Sequence, residues 1–450
     1  MAFSPRQFNI ELYLEHLEEA SSLYEQRLGL RDDPELSWRD LAEYENRIEA
    51  HIDALVVGDQ LALDICRQRA SEGDEGECYA AVKVFCRQGK GEFVAEVWGR
   101  MSSDTSEFLR AILDAFIEER LEGWSESLEV AFEGQHLFLY EVVATLFGYE
   151  RYHPGEQAVL KALSSAPEQA LPSLVWALGR IGGDAAAEQL KNLQSHPIKA
   201  VRQHAIIALL RLRDPNVLSY CLGSVKDAEC MLPLALAGRR EVLNEALQHA
   251  RQKEEYTEQA LLVLGLLGDV SAVYLLYSYL DDEMFSETAA YSLQLITGAG
   301  LYEDVFVEEE VSEDELFEDE IKTYRETQKL PEKAPGQAYG EWVRRLSHNP
   351  HHWQKWLNEH QSQFKPAYRY RLGSLYSPVA LYESLRSETI PFNIRRWLIE
   401  ELNIQYHAEF KIEADMLVCH QDRVLSEIKR WAYDHQDRLP LGLWGCGPSR

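Results

Sequence analysis

Ala177-Leu178-Gly179-Arg180-Ile181-Gly182, with Asp184 close behind, is a phrase this chain repeats. Ala208-Leu209-Leu210-Arg211-Leu212-Arg213-Asp214 follows 31 residues later, and Val263-Leu264-Gly265-Leu266-Leu267-Gly268-Asp269 is a third copy. Weaker echoes begin at Ala144, Ala235 and Ala290, so neighbouring copies lie 27 to 33 residues apart. A steady period of this size marks an array of supersecondary units. Each copy reads as a helix ending in small and apolar residues, such as Val201 to Leu212. A Gly or polar residue then breaks it, and an Asp caps a shorter second helix. Ala185 to Leu193 and Val217 to Gly223 are second helices of this kind. The alanines let neighbouring helices approach closely. Neither helix can bury its apolar stripe alone, so stacked copies must share a core. Pro197 and Pro215 fall between helices, where a missing N–H does little harm. The expected fold is all-α, an α-solenoid of short paired helices over residues 136–300.

Working outward, residues 1–135 read as a helical N-terminal region. Ile10, Tyr13, Leu17 and Tyr24 share one helix face. Ser37 with Asp40 opens a second helix with the stripe Leu41, Tyr44, Ile48, Ile52 and Leu55, and Gly58 suits a left-handed C-terminal position. Glu77 to Arg87 is a further helix, Phe93 to Trp98 reads equally as helix or strand, and Ser103 or Asp104 can cap a helix through Phe116. Beyond the repeats, 11 of the 18 residues from Glu303 to Glu320 are acidic and none is basic, so residues 301–338 are expected to be a solvated acidic linker. Residues 339–440 form a helical C-terminal region beginning at the Asn349-Pro350 N-cap, and 441–450 a loose tail. The flanking regions are expected to cap the two ends of the solenoid.

The 45 basic against 75 acidic residues give a net charge of -30, which argues against nucleic acid and anionic membrane surfaces as partners. The seven cysteines show no CxxC spacing, and the N-terminus lacks a basic stretch leading into an apolar one. Reduced thiols in a cytoplasm are the expected state. The longest strongly apolar run, Ala260 to Gly268, falls far short of the roughly 20 residues of a membrane span.

Two blocks carry a resemblance. The first runs Asp40-Leu41-Ala42-Glu43-Tyr44-Glu45-Asn46-Arg47-Ile48-Glu49-Ala50-His51-Ile52-Asp53-Ala54-Leu55. The second comprises Asn349-Pro350, Trp353-Gln354-Lys355-Trp356, Gln363-Phe364 and Tyr368-Arg369-Tyr370-Arg371-Leu372-Gly373. Together with the repeats they resemble an uncharacterised family of proteobacterial HEAT-repeat proteins, often encoded beside type VI secretion spike and effector genes. Ala54 departs from that pattern, which has Gly, and the repeats from 228 to 257 are degenerate. The resemblance implies a cytoplasmic accessory that loads, escorts or neutralises an effector. It brings no catalytic residues.

The residues themselves offer little chemistry. His348, His351 and His352 have steps of three and four, but Pro350 interrupts them and no Cys or carboxylate completes a metal set, so a helix start is the better reading. Arg47, Glu49, His51 and Asp53 fit a buried polar network better than an acid–base site. Cys66, Cys78 and Cys86 are spaced too irregularly for zinc, and GxSxG, HExxH and the P-loop are missing. No cofactor is expected. In Val270 to Leu280, Tyr274 and Tyr279 project away from the core stripe and are the candidate protein-interaction residues. The function expected is non-enzymatic: a protein-binding scaffold capturing a basic partner on the concave face of the second helices, as an effector adaptor or as an immunity protein. An enzyme built on HEAT-like repeats, a DNA glycosylase or lyase, is the other class. A glycosylase needs a basic groove, whereas residues 171–300 hold 11 basic against 15 acidic residues.

Overall fold

The computed structural model describes residues 4–33, 36–100, 106–119, 137–308, 321, 324, 332–334, 337–436 and 441–445. The N-terminal region is a bundle of α1 (Pro5–Arg31), α2 (Leu41–Val57), α3 (Asp59–Glu72), α4 (Glu75–Arg87), α5 (Gly91–Arg100) and α6 (Ser106–Glu119). Phe93 to Trp98 therefore lies in a helix. The central helix α4 is buried from Gly76 to Phe85 and starts in a reciprocal capping box between Asp74 and Glu77. Gly58 is not left-handed, with φ −69°; the chain passes straight into α3 through Asp59 at φ 53°. Gly58 is needed there for close approach, since a Cβ would stand 2.6 Å from Ala62 and 2.7 Å from Tyr13. Ser103 and Asp104 lie outside the described residues.

The repeats follow as expected. Their first helices are α7 (Leu137–Glu150), α9 (Leu171–Ile181), α11 (Lys199–Arg211), α13 (Ala228–Leu236), α15 (Thr257–Leu267) and α17 (Ser286–Thr297). Their second helices are α8 (Glu156–Ala162), α10 (Asp184–Leu193), α12 (Val217–Gly223), α14 (Leu243–Gln252) and α16 (Val273–Tyr277). From α9 to α17 the first helices start at 171, 199, 228, 257 and 286, one every 28 or 29 residues. Each packs on the next, and the second helices cover one side of the row. The helices meet at small residues. A Cβ on Gly179 would stand 2.5 Å from that of Ala208, and one on Gly265 would stand 2.7 Å from Ser292. Gly265→Val should therefore overpack the α15–α17 contact and cost about 3 kcal/mol or more, read as a lowered urea midpoint; a neutral outcome would mean these helices can slide apart.

After the repeats, β1 (Tyr302–Glu308), β2 (Glu332–Ala334), β3 (Gln337–Ala338) and β4 (Gly340–Leu346) form two antiparallel ribbons, β1 with β4 and β2 with β3. The start of the acidic tract is thus a strand and not a solvated linker. Its partner supplies the counter-charge, because Glu303 stands opposite Arg345 and Asp304 opposite Arg344. Residues 309–320 lie outside the described ones. Next come α18 (Pro350–His360), a small ribbon of β5 (Tyr370–Arg371) and β6 (Ser374–Leu375), α19 (Pro378–Arg386), α20 (Phe392–Tyr406) and α21 (Val418–His435). Asn349 caps α18 as expected, accepting from the His351 N–H.

This C-terminal region packs on the last first helix, α17, through β4 and β5, but it is not confined to that end. It runs back along the ends of the first helices and reaches the N-terminal bundle. Leu372 N–H donates to the Leu295 carbonyl, Gln405 to that of Leu236 (2.6 Å), and Arg151 to Glu413 (2.9 Å). At the far end Val418 N–H donates to Glu45, Trp38 to the Ser387 carbonyl, and Arg39 pairs with Asp422. Residues 441–445 of the expected loose tail are tucked in: Gly442 exchanges backbone bonds with Arg369 and Tyr376, and Gly445 N–H donates to Gly238; residues 446–450 lie outside the described ones. Among the described residues, no helix is long and apolar enough to cross a membrane.

Candidate functional site

The return of the C-terminal region creates a groove. One wall is the exposed side of the first helices and the other is the N-terminal half of α20. The sixth residue of each first helix from α9 to α17 lines it: Trp176, His204, Pro233, Leu262 and Tyr291. Opposite them stand Arg396 and Trp397, which line both of its cavities, of about 310 and 550 Å³. The groove therefore lies on the first helices, whereas the second helices were the expected face. The helical period put one side chain per repeat on this floor, and the docking of α20 raised a wall beside it.

The end near α9 rests on buried ion pairs. Arg180, whose guanidinium also lies 3.7 Å from the centre of the Trp176 ring, bonds Glu400 (2.5 Å) and Glu413 (2.7 Å), and Arg211 bonds Glu400 (2.7 Å). Burial by itself would raise the Glu400 carboxyl, but the two guanidiniums overrule it and hold it at about 2. These carboxylates are engaged by structural cations. The wider cavity is mixed in charge, with Lys199 and Arg396 against Glu229, Glu258 and Glu287, so no continuous positive trough runs along it.

His204 is pushed down to about 4, first by burial and then by Arg180, against the opposing pull of Glu400. A histidine whose folded pKa is depressed binds its proton in the unfolded chain first. Stability should therefore fall as pH drops from about 6.5 towards 4. His407, also held at about 4 by burial and Arg213, acts in the same window. His204→Asn should remove roughly 2 kcal/mol of that loss, seen by comparing urea midpoints at pH 7 and pH 4.5; parallel pH profiles would refute it.

The two tyrosines part company. Tyr274 is 71% exposed, on the rim of an apolar hollow of about 250 Å³ shared with Leu357, Phe364 and Pro366. Tyr279 is buried at 3%, donates its hydroxyl to the Ala250 carbonyl and packs edge-on against Phe285, so its expected exposure is corrected. Helix α16 ends at Tyr277, and the turn after it swings Tyr279 inward. The three histidines engage different surroundings: His352 Nδ1 lies 2.9 Å from Ser347 Oγ, His351 is exposed, and burial and Arg345 lower His348. Among the described residues, no group of three or more His, Cys, Asp or Glu is placed to hold a metal ion.

The Arg47 block divides. Glu49 and Asp53 join a network with Lys83, Arg87, Glu118 and Glu119, while His51 meets His16 and Arg47 is exposed.

This arrangement of paired helices has a counterpart among known repeats. Residues 173–196 match the PBS lyase HEAT-like repeat family. The match covers most of α9 and all of α10, one pair of the array. No curated protein matches the chain. The all-helical solenoid is thus of HEAT-like type, a class of repeat used for protein–protein contact. The blocks that carried the resemblance serve the closure of the fold: Glu45 receives Val418, and Arg369 and Arg371 clamp the repeats.

Proposed function

We propose that this protein is a cytoplasmic, non-enzymatic scaffold that escorts a secreted effector, acting as an adaptor in a type VI secretion setting. The observation that supports it is the groove. Five successive repeats each contribute one side chain to a continuous floor, as a binder of an elongated partner requires. The net charge of -30 favours a basic partner, either the effector itself or a spike component. The secretion setting rests on the resemblance of the Asp40–Leu55 and Asn349–Gly373 blocks.

The same charge favours a second reading, an immunity protein that sequesters a basic toxin. Coexpression separates the two. A neighbouring toxin gene is expressed with and without this protein: restored growth supports immunity, whereas lost export with unchanged viability supports an adaptor. The glycosylase or lyase reading is disfavoured because Glu400 and Glu413 are engaged by Arg180, Arg211 and Arg151. Leu262→Arg, on the half-buried groove floor, should weaken partner capture about 30-fold, as loss of an interface hot spot does. Undiminished capture by a folded Leu262→Arg variant would remove the groove from the function.

A further inference from the structure

A separate cavity of about 490 Å³ shares Arg180 with the narrower end of the groove and is otherwise lined by different residues. Helices α7, α9, α11 and α20 end beside it, and the chain leaves each through a residue of positive φ: Arg151 (52°), Gly182 (82°), Arg213 (58°) and His407 (51°). Glycine or asparagine is the usual choice for such a backbone, yet three of these four carry a guanidinium or an imidazole. Arg180, Arg211, His153 and Asn403 also line the cavity, and Glu409 is the one carboxylate among its described lining residues. A cation at a helix C-terminus favours the helix by itself, which explains any one of these arginines. It does not explain their surplus. Arg151, Arg180 and Arg211 share just two carboxylates, Glu400 and Glu413. Arg213 is exposed and makes no ion pair among the described residues; Glu409 attracts it without closing one. The excess acts on Arg151: burial first, then Arg211 and Arg180, push it down to about 10 against the pull of Glu413. Two buried donors are also left over among the described residues. Arg211 gives Nε to the Gly179 carbonyl (3.2 Å) and Nη1 to Glu400 (2.7 Å), and its Nη2 has no partner. Asn403 is 5% exposed, and its side-chain amide makes no hydrogen bond. The start of α10, by contrast, is already served, because the Ala186 N–H donates to Glu156 (3.0 Å).

We propose that this cavity binds a small dianion of the phosphate type, either inorganic phosphate or the phosphate group of a small molecule. Such a ligand is independent of any partner caught in the groove. Guanidinium groups present paired donors that match phosphate oxygens. Arg211 and Arg213 supply charged donors, and Asn403 supplies a neutral one. His407, held at about 4 by burial and Arg213, is uncharged at neutral pH and can give one ring N–H. Two negative charges match the surplus, because four guanidiniums stand against the two carboxylates that pair with them. A monoanion would leave one of those charges unmet, and an unmet buried charge keeps its desolvation cost. A bound dianion would join the exits of three successive first helices to the end of α20, so it should stabilise the fold by mass action.

Isothermal titration calorimetry of the full chain, at constant ionic strength in sodium chloride, tests this with sodium phosphate, glycerol 3-phosphate and succinate, beside thermal unfolding in the same solutions. Phosphate or glycerol 3-phosphate should bind at one site and raise the unfolding midpoint, and succinate should bind about tenfold more weakly than the better of the two. Tighter binding of glycerol 3-phosphate assigns the cavity to a phosphate ester, and equal or weaker binding assigns it to the free ion. Arg213→Gln, which breaks no side-chain bond of the fold, should weaken binding about tenfold, the worth of one charge-assisted hydrogen bond. Glu409→Gln should tighten it about threefold, because a repelling charge leaves the lining. Arg251→Gln, exposed on α14, should change nothing. Circular dichroism confirms that the variants are folded. No binding of either phosphate, equal binding of succinate, full affinity in Arg213→Gln, weaker binding in Glu409→Gln, or an equal loss in Arg251→Gln would overturn the proposal.

Discussion

Glu401→Ala should cost the protein about 3–5 kcal/mol and release its C-terminal region from the repeats. Glu401 is fully buried on α20 and accepts from both Arg369 and Arg371, which are also fully buried. The two guanidiniums reach it from the loop before β5 and from β5 itself, and they also donate to the carbonyls of Gly265, Leu266 and Leu267 at the end of α15. One carboxylate is thus shared by the two cations that pin the C-terminal region to the solenoid, and the helix carbonyls meet the remaining positive charge. Without it, two buried positive charges face each other and the negative ends of helix carbonyls alone. A buried ion pair adds modest net stability when whole, but losing one partner leaves the full desolvation cost uncompensated. Urea unfolding should show the loss, and limited proteolysis should cut between α17 and α19. Glu383→Ala is the control: its pair with Arg386 is exposed and worth well under about 1 kcal/mol. Equal costs for the two variants would contradict the clamp.

Lys83→Met should be nearly as damaging, about 3–5 kcal/mol at neutral pH. Lys83 is buried in α4 and holds Glu49 at 2.6 Å, Glu118 at 2.8 Å and Glu119 at 3.5 Å. Burial would raise the Glu118 carboxyl, but Lys83 first and Arg27 second bring it below its ordinary value, and Tyr79 donates to it as well. A depressed carboxyl stabilises the fold above its unfolded pKa, and that stability is lost as pH falls through the folded value. In Lys83→Met the largest part of that depression is lost, leaving only Arg27 and Tyr79 to oppose burial, so Glu118 takes up a proton more readily. The deficit relative to the unsubstituted protein should therefore be largest above about pH 4.5 and shrink in acid. Lys83→Met/Glu118→Leu should recover most of the loss, because an apolar replacement of a buried pair is often neutral. A double variant no better than the single one would show that the network does not act as a unit.

Much of this fold could be read from one repeated phrase. The small residues that mark each copy are those that let the first helices touch, as Gly179 does on Ala208. The Arg at the end of a copy was visible too, at Arg180 and Arg211. Its partner Glu400 lies about two hundred residues away, and no local pattern joins them. The ribbon of β1 and β4 was hidden for a related reason: seven residues with three acidic side chains look unfit for a strand until Arg344 and Arg345 stand opposite. The place of Tyr279 was not legible because helical phase carries through to Leu280 in the sequence, whereas α16 stops at Tyr277. The groove floor was legible in period but not in location. Which helix face stays open depends on where α20 docks, and that depends on Glu400 and Gln405 meeting the ends of helices far upstream and on Glu401 holding Arg369 and Arg371, which reach the end of α15.

Hydrogen–deuterium exchange of the protein with and without its bound effector tests the central claim most directly. Slowed exchange confined to α11, α13, α15, α17 and the first half of α20 is the expected result. Protection of α10, α12 and α14 with the groove unchanged would contradict it.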